Sequence, residues 1–231
     1  INFDAIIHTS TCYGRKGESK KKIFEANTLF PTKLLETAIL FKIKTFINTD
    51  TYYNVDRNIS VNLINYILSK KKFLDNVKVH SLKKKIKFIN LRLEHVYGPK
   101  DSETKFVNWL VSSLSKRNKK INLTKCEQKR DMIFIDDVVK AFVIVLKNIS
   151  RFNRYYLNIG VGSGKTVALK EFVKLAFKLK KSNCKLIFGS IPYQKNEIMI
   201  SKADNKILKK LGWKCTTNLK KGLISVLNKS N

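Results

Sequence analysis

Thr45-Phe46-Ile47-Asn48-Thr49-Asp50-Thr51, followed downstream by Tyr66-Ile67-Leu68-Ser69-Lys70, decides the fold. The first stretch is short, apolar and strand-like, with a strand from Lys44 to Asn48 and a threonine closing the run. The second lies in a segment from Asn62 to about Asn76 that reads as a helix, with Leu63, Ile67 and Leu74 on one apolar stripe. Positions i and i+4 share a helix face, so the Tyr66 phenol and the Lys70 ammonium stand side by side. A nearby cation stabilises a phenolate and draws a tyrosine down from about 10 toward neutral pH. The Thr51 hydroxyl can hold a substrate oxygen beside that phenol. Together these groups can move a proton on and off a sugar or alcohol oxygen while a cofactor handles the hydride. Tyr-x-x-x-Lys alone is a weak signal, because a surface lysine beside a half-buried tyrosine is common on amphipathic helices.

The surrounding chain alternates strand and helix. Phe3 to His8 is a nearly continuous apolar run, as in a buried parallel strand. A helical stretch runs from about Phe24 to Phe41, and Ile86 to Leu93 is a further strand. Phe106 to Leu114 is amphipathic, and Met132 to Ile135 is a short strand. Asp136 or Asp137 suits the N-cap of a helix reaching about Asn148. Tyr155 to Ile159 and Lys185 to Phe188 read as strands. Val167 to Lys180, Asp204 to Leu211 and Leu219 to Leu227 read as helices. This alternation predicts an α/β fold with a mostly parallel, helix-covered sheet.

The landmarks resemble the NAD(P)-dependent epimerase/dehydratase family, the extended short-chain dehydrogenases that act on nucleotide sugars. Asp4 to His8 looks like that family's fourth strand, and Asn27 with Leu34-Leu35 resembles its Asn-to-helix segment. Phe46 to Thr51 resembles the strand bearing the catalytic Ser or Thr, and Leu91-Arg92 through Val96-Tyr97-Gly98-Pro99 its strand and substrate loop. Arg130 to Asp137 is similar to its Arg-Asp…Val-Asp-Asp segment; Tyr156 to Gly160 and Leu211-Gly212-Trp213 resemble later landmarks. The order is kept across essentially the whole chain.

The resemblance implies a Rossmann-like doubly wound parallel sheet, N-terminally truncated, with a smaller α/β substrate-binding part. Residues 1–95 would be the remainder of the cofactor domain. Residues 96–231 would mainly bind substrate, with 130–150 returning to the sheet. It implies NAD or NADP as cofactor, a nucleotide-diphosphate sugar as substrate, a homodimer and a role in polysaccharide biosynthesis. Tyr66 would be the acid/base, Lys70 would tune it and hold the nicotinamide ribose, and Thr51 would bind the reacting oxygen. His8, Thr9 and Asn27 would line the cofactor, alongside Tyr66 and Lys70. Arg130 would clamp the diphosphate, a task suited to a forked guanidinium, with His95 nearby in the substrate loop.

Two departures narrow the reading. The Gly-x-x-Gly-x-x-Gly turn that brings backbone to a dinucleotide pyrophosphate is absent, and it belongs before Ile1. The 231 residues alone are therefore expected to bind NAD(P) poorly or to be unstable. The family's 4,6-dehydratases carry Asp-Glu after the threonine, whereas Tyr52-Tyr53 stands here. That disfavours elimination of water. The short Thr51-to-Tyr66 gap looks most like the branch that reduces 4-keto sugars to CDP-abequose or CDP-paratose. A nucleotide-sugar 4-epimerase and an inactive fragment or basic binding module on the same fold remain the alternatives.

Composition bounds the rest. There are 47 Lys+Arg against 17 Asp+Glu, a formal net charge of +30. The bases are nearly all lysine and spread along the chain, with arginine only at 15, 57, 92, 117, 130, 151 and 154. Dedicated base and phosphate readers favour arginine. No nucleic-acid partner is expected; a coding bias toward Lys, Asn and Ile accounts for the composition. No apolar run approaches the roughly 18 residues of a membrane span. Cys12, Cys126, Cys184 and Cys215 are scattered without a metal or disulfide pattern, which suits the cytoplasm and no metal. Gly162-Ser163-Gly164-Lys165-Thr166 ends like a phosphate-binding loop, but the required first glycine falls on Ile159.

Overall fold

Four parallel strands carry the site. The computed structural model describes residues 3–54, 63–83, 85–116 and 119–228. Its opening elements are β1 (Ala5–His8), α1 (Lys20–Phe24), α2 (Phe30–Leu40), β2 (Thr45–Thr51), α3 (Ile64–Leu82) and β3 (Lys87–Leu93). Then come β4 (His95–Tyr97), α4 (Phe106–Leu114), β5 (Lys120–Leu123), β6 (Lys129–Arg130), β7 (Met132–Phe134) and α5 (Ile135–Lys147). The chain continues through β8 (Tyr156–Val161), β9 (Val167–Ala168), α6 (Leu169–Lys180), β10 (Lys185–Phe188), β11 (Ile200–Ser201), α7 (Lys206–Lys210) and α8 (Leu219–Asn228). The sequence-expected start of α3 at Asn62 lies outside the described residues.

The main sheet has the order β1-β2-β3-β8, and its pairings are parallel. Both faces are covered, as the strands' apolar runs require. On one face Ile47, Ile89, Leu91 and Ile159 pack with Val138 and Val145 of α5, Leu208 of α7 and Trp213. On the other, Phe46 and Phe88 pack with Leu35 of α2 and Phe73 and Val77 of α3. This is the doubly wound, Rossmann-like arrangement. Residues 135–147 return to the sheet as a helix cover; the strand that joins it is β8. A separate core lies among α4, α6, α8, β5 and β10 around Leu110, Phe172 and Leu223.

The structure differs from the sequence expectation in two places. The helix expected over 24–41 is interrupted: Glu25–Leu29 forms a π-helical turn between α1 and α2. Pro31 at the start of α2 cannot supply a helix hydrogen bond. Asn27 inside the turn is fully buried and bonded to groups outside the helix. Asp136 and Asp137 are not the N-cap of α5; both lie in its first turn, after Phe134. The Asp137 carboxylate accepts instead from Thr217 N at 2.8 Å and Thr216 Oγ1 at 2.8 Å, tying the helix start to the C-terminal loop. The glycine-rich stretch at 162–166 is a turn with Gly164 at φ +76°. Ser163 N and Gly164 N donate to the buried Asp131 carboxylate at 2.7 and 2.9 Å, so amides of the kind that cradle a phosphate are engaged internally.

Candidate active site

Strand β2 ends at Thr51, which is buried and accepts from Tyr53 N at 3.4 Å. Helix α3 packs on one face of the sheet, and its first turn brings Tyr66 to the cavity wall that Thr51 also lines. The Tyr66 phenol lies beside the Thr51 side chain, and both border the same cavity. One helical turn on, the Lys70 ammonium donates to the Thr49 carbonyl oxygen at 3.0 Å. The structure therefore brings Thr51, Tyr66 and Lys70 together. All three are nearly inaccessible, with Lys70 only 2% exposed.

Burial controls their charge states. It pushes the Tyr66 phenol well above its ordinary value, and neighbouring Tyr13 adds to the rise while the Thr51 side chain opposes it. The sequence expectation that Lys70 draws this tyrosine toward neutrality is thus corrected: in this dry site desolvation of the phenolate wins. Lys70 itself is brought down from 10.5 to about 8 by burial, against the pull of the Asp50 carboxylate.

Thr51 and Tyr66 border a cavity of about 1130 Å³. Its volume exceeds the roughly 300–1,000 Å³ of a site for one small ligand. Thr9 lies on its wall, with Ile7 and Thr11 from the end of β1 and the loop after it. Two other sequence candidates face elsewhere. His8 is 3% exposed and packs its ring among Phe30, Phe46 and Phe73, its Nδ1 donating to Asn48 Oδ1 at 2.9 Å. Asn27 is a brace: its Oδ1 accepts from Cys12 N at 2.8 Å, and its Nδ2 donates to Cys12 O at 2.7 Å and Ser69 Oγ at 3.0 Å. It thereby ties the loop carrying Thr9 to Tyr13 onto α3.

His95 and Arg130 both reach the cavity wall. The His95 ring lies against Tyr52, centroids 4.3 Å apart, with Nδ1 3.6 Å from Glu94 Oε2. Burial pushes this imidazole below its ordinary value, and Glu94 pulls it back up. Arg130 is 5% exposed and its Nη2 donates to Glu197 Oε1 at 2.5 Å. Sequence reasoning did not single out Glu197, Glu94, Tyr13 or Asp50. Tyr13 lies against the Tyr66 ring at 5.0 Å, with Lys105 Nζ 5.0 Å from its centroid. Tyr52 and Tyr53, stacked at 4.1 Å, stand where a dehydratase would carry carboxylates. Among the described residues no cluster of three or more His, Cys, Asp or Glu could hold a metal. Nor is any described helix long and apolar enough to cross a membrane.

A parallel doubly wound sheet with a Tyr–Lys helix against a strand-end threonine defines a class: dinucleotide-dependent enzymes that oxidise, reduce or isomerise at a carbon bearing oxygen. Comparison with known proteins makes this specific. The chain belongs to the NAD dependent epimerase/dehydratase family, whose model matches residues 1–160. It is 38% identical over 226 residues to CDP-abequose synthase of Salmonella typhimurium, covering 97% of this chain and 75% of that protein. CDP-abequose synthase of Salmonella muenchen is 35% identical over 229 residues, with 99% and 77% covered. Among solved structures, UDP-glucuronic acid 4-epimerase from Bacillus cereus superposes with a TM-score of 0.82 at 20% identity, covering 98% of this chain and 74% of that one. That last likeness is one of fold. By family the chain is an NAD(P)-dependent enzyme of the nucleotide-sugar epimerase and reductase type.

Proposed function

We propose that this chain carries the catalytic site of a nucleotide-sugar 4-ketoreductase, acting on a nucleotide-linked 4-keto-6-deoxy sugar. The observation that carries the reading is that Thr51 and Tyr66 stand together on a cavity wall that also bears Tyr52 and Tyr53. Every carboxylate on that wall is engaged elsewhere. Glu197 holds Arg130, Asp101 holds Lys105 at 2.9 Å, Glu94 accepts from Ser201 Oγ, and Asp50 accepts from two asparagine amides. None is placed as the free acid/base pair that water elimination needs.

The raised Tyr66 phenol favours reduction over oxidation. A protonated phenol is the form that donates, and burial keeps it protonated across neutral pH. Thr51 holds the carbonyl oxygen, and Tyr66 delivers its proton to that oxygen as it becomes an alkoxide. A nicotinamide cofactor supplies the hydride when bound. The residues fit such a group: Thr49 Oγ1 is buried on the cavity wall without a partner, and Lys70 uses one of its three N–H donors on Thr49 O. That leaves donor and acceptor capacity of the kind ribose hydroxyls take. Thr49, Lys70 and Thr9 would hold it. The two relatives named CDP-abequose synthase support a CDP-linked sugar as substrate.

The test sets the protein with NADPH and a CDP-4-keto-6-deoxy sugar beside UDP-glucose with catalytic NAD. Oxidation of NADPH by the keto sugar alone supports the reductase. Interconversion of UDP-hexoses would replace it with a 4-epimerase.

A further inference from the structure

Three strands of the sheet repeat one pattern, an aromatic residue and then, two positions on, an asparagine: Phe46-Ile-Asn48, Phe88-Ile-Asn90 and Tyr156-Leu-Asn158. The pairing registers align the repeats. His8, Asn48, Asn90 and Asn158 form one rung across β1, β2, β3 and β8. The aromatic rung below it stacks Phe46 on Phe88 at 5.6 Å and Phe88 on Tyr156 at 5.7 Å.

The polar rung is hydrogen-bonded from strand to strand. Asn48 Nδ2 donates to Asn90 Oδ1 at 2.8 Å, and Asn90 Nδ2 donates to Asn158 Oδ1 at 2.9 Å and to Asp50 Oδ2 at 2.8 Å. A carboxylate only accepts, so Asn90 must turn its nitrogen to Asp50 and its oxygen to Asn48. Asn48 must then offer its own oxygen to His8, which donates from Nδ1 at 2.9 Å. The relay therefore runs one way, from His8 to Asp50. A second amide, Asn54 Nδ2, donates to Asp50 Oδ1 at 2.6 Å.

Asp50 is 3% exposed, and burial pushes its carboxyl above the ordinary carboxylate value while the hydrogen bonds of Asn90 and Asn54 and the charge of Lys70 pull it down. Its side-chain donors are neutral amides. The ionisable groups facing it are Lys70 and Tyr66 from α3, Tyr156 from β8, and Arg92, its in-register neighbour on β3. Arg92 forms no ion pair with it, and its Nε is buried without a partner. The Lys70 charge acts on both His8 and Asp50. Its ammonium is held on the Thr49 carbonyl, one residue before Asp50, rather than in a direct ion pair with the carboxylate. A buried ammonium needs an opposite charge to remain ionised.

We propose that Asp50 is a positioning residue for the catalytic pair: its carboxylate, fixed by the cross-sheet amide relay, is the counter-ion that keeps the Lys70 ammonium charged in a dry site. The catalytic meaning of this rests on Tyr66 and Lys70 being the reacting pair; the electrostatic coupling does not. Asp50 acts through Lys70 and through the Thr49 carbonyl one residue before it.

The experiment is a carbon-13 NMR titration of the lysine Cε and aspartate Cγ signals, with Lys70 assigned by its loss in Lys70→Met. Lys70 titrates near 8 in the wild type and about one unit lower in Asp50→Asn; Asp50→Glu restores part of the shift. Coupling is reciprocal, so the Asp50 carboxyl moves upward in Lys70→Met. That arm reads the coupling even if Asp50→Asn does not fold. A Lys70 signal unmoved in folded Asp50→Asn, or an Asp50 signal unmoved in Lys70→Met, overturns the proposal. The titrations need no substrate, so an enzyme inactive toward keto sugars would sink the functional reading alone.

Discussion

Lys70 donates to the carbonyl oxygen of Thr49 at 3.0 Å, two residues before the threonine that stands beside the Tyr66 phenol. One strand end thus meets both members of the pair. Its backbone holds the cation and its side chain stands beside the phenol. The spacing of Tyr66 and Lys70 on α3 matches the two-residue step from Thr49 to Thr51 on β2.

This arrangement makes stability depend on pH in a defined window. Burial lowers Lys70 from 10.5 to about 8. The folded state therefore carries a penalty whenever Lys70 is charged in both states, which is below about 8. The penalty fades as pH rises from there toward the unfolded value. The shift corresponds to about 3 kcal/mol. Urea unfolding of wild type and Lys70→Met at pH 7 and pH 10 should show the wild type gaining about that much relative to the variant, with the other lysines cancelling. A difference independent of pH would refute the buried charge.

Arg130 and Glu197 give a second prediction. Their ion pair neutralises the one guanidinium expected to meet a diphosphate. Glu197→Gln releases that charge into the cavity. CDP should then bind about five- to tenfold tighter, roughly 1 kcal/mol, and the gain should shrink at high salt. Stability should fall by about 1–3 kcal/mol as the buried pair is broken. Calorimetry at two salt concentrations checks this; unchanged CDP affinity would remove Arg130 from the anion site.

The Asn90 side chain joins the greatest number of groups in the sheet's polar rung. Asn90→Leu has nearly the same volume but leaves Asn48 Nδ2, Asp50 Oδ2 and Asn158 Oδ1 short of a partner. The expected loss is about 3 kcal/mol or more in urea unfolding. Asn158→Leu, which strips a single bond, should cost about a third as much.

How much of this was legible in the chain depends on how far apart the partners lie. The nearness of Tyr66 and Lys70 was legible from helix spacing, and Thr51 was tied to them by the strand that precedes the helix and by the family resemblance. The parallel sheet followed from alternating periodicities. Glu197 was not legible, since its partner is 67 positions away and nothing local marks it. Asp50 stood in the quoted strand, but a buried aspartate makes sense only once the register aligns three asparagines beside it. Lys70's effect on Tyr66 was misjudged for a related reason: spacing gives proximity but not depth, and depth decides which form of the phenol is favoured. Asn27 was found by pattern, yet its role changed because its partners are the backbone of Cys12 and the Ser69 hydroxyl.

That change of role gives the last prediction. A cofactor ligand and a loop brace respond differently to Asn27→Asp, which keeps the acceptor for Cys12 N but loses the donors to Cys12 O and Ser69 Oγ. For a brace, amide hydrogen exchange across residues 9–14 accelerates and stability falls by about 2–3 kcal/mol. KM for the cofactor then rises through the loosened loop, and a further variant restoring the Cys12–Ser69 link should recover both together. For a direct ligand, affinity would fall while exchange at Cys12 stayed slow. The structure favours the first outcome, because both ends of the Asn27 amide are already engaged by the protein and the side chain is wholly buried.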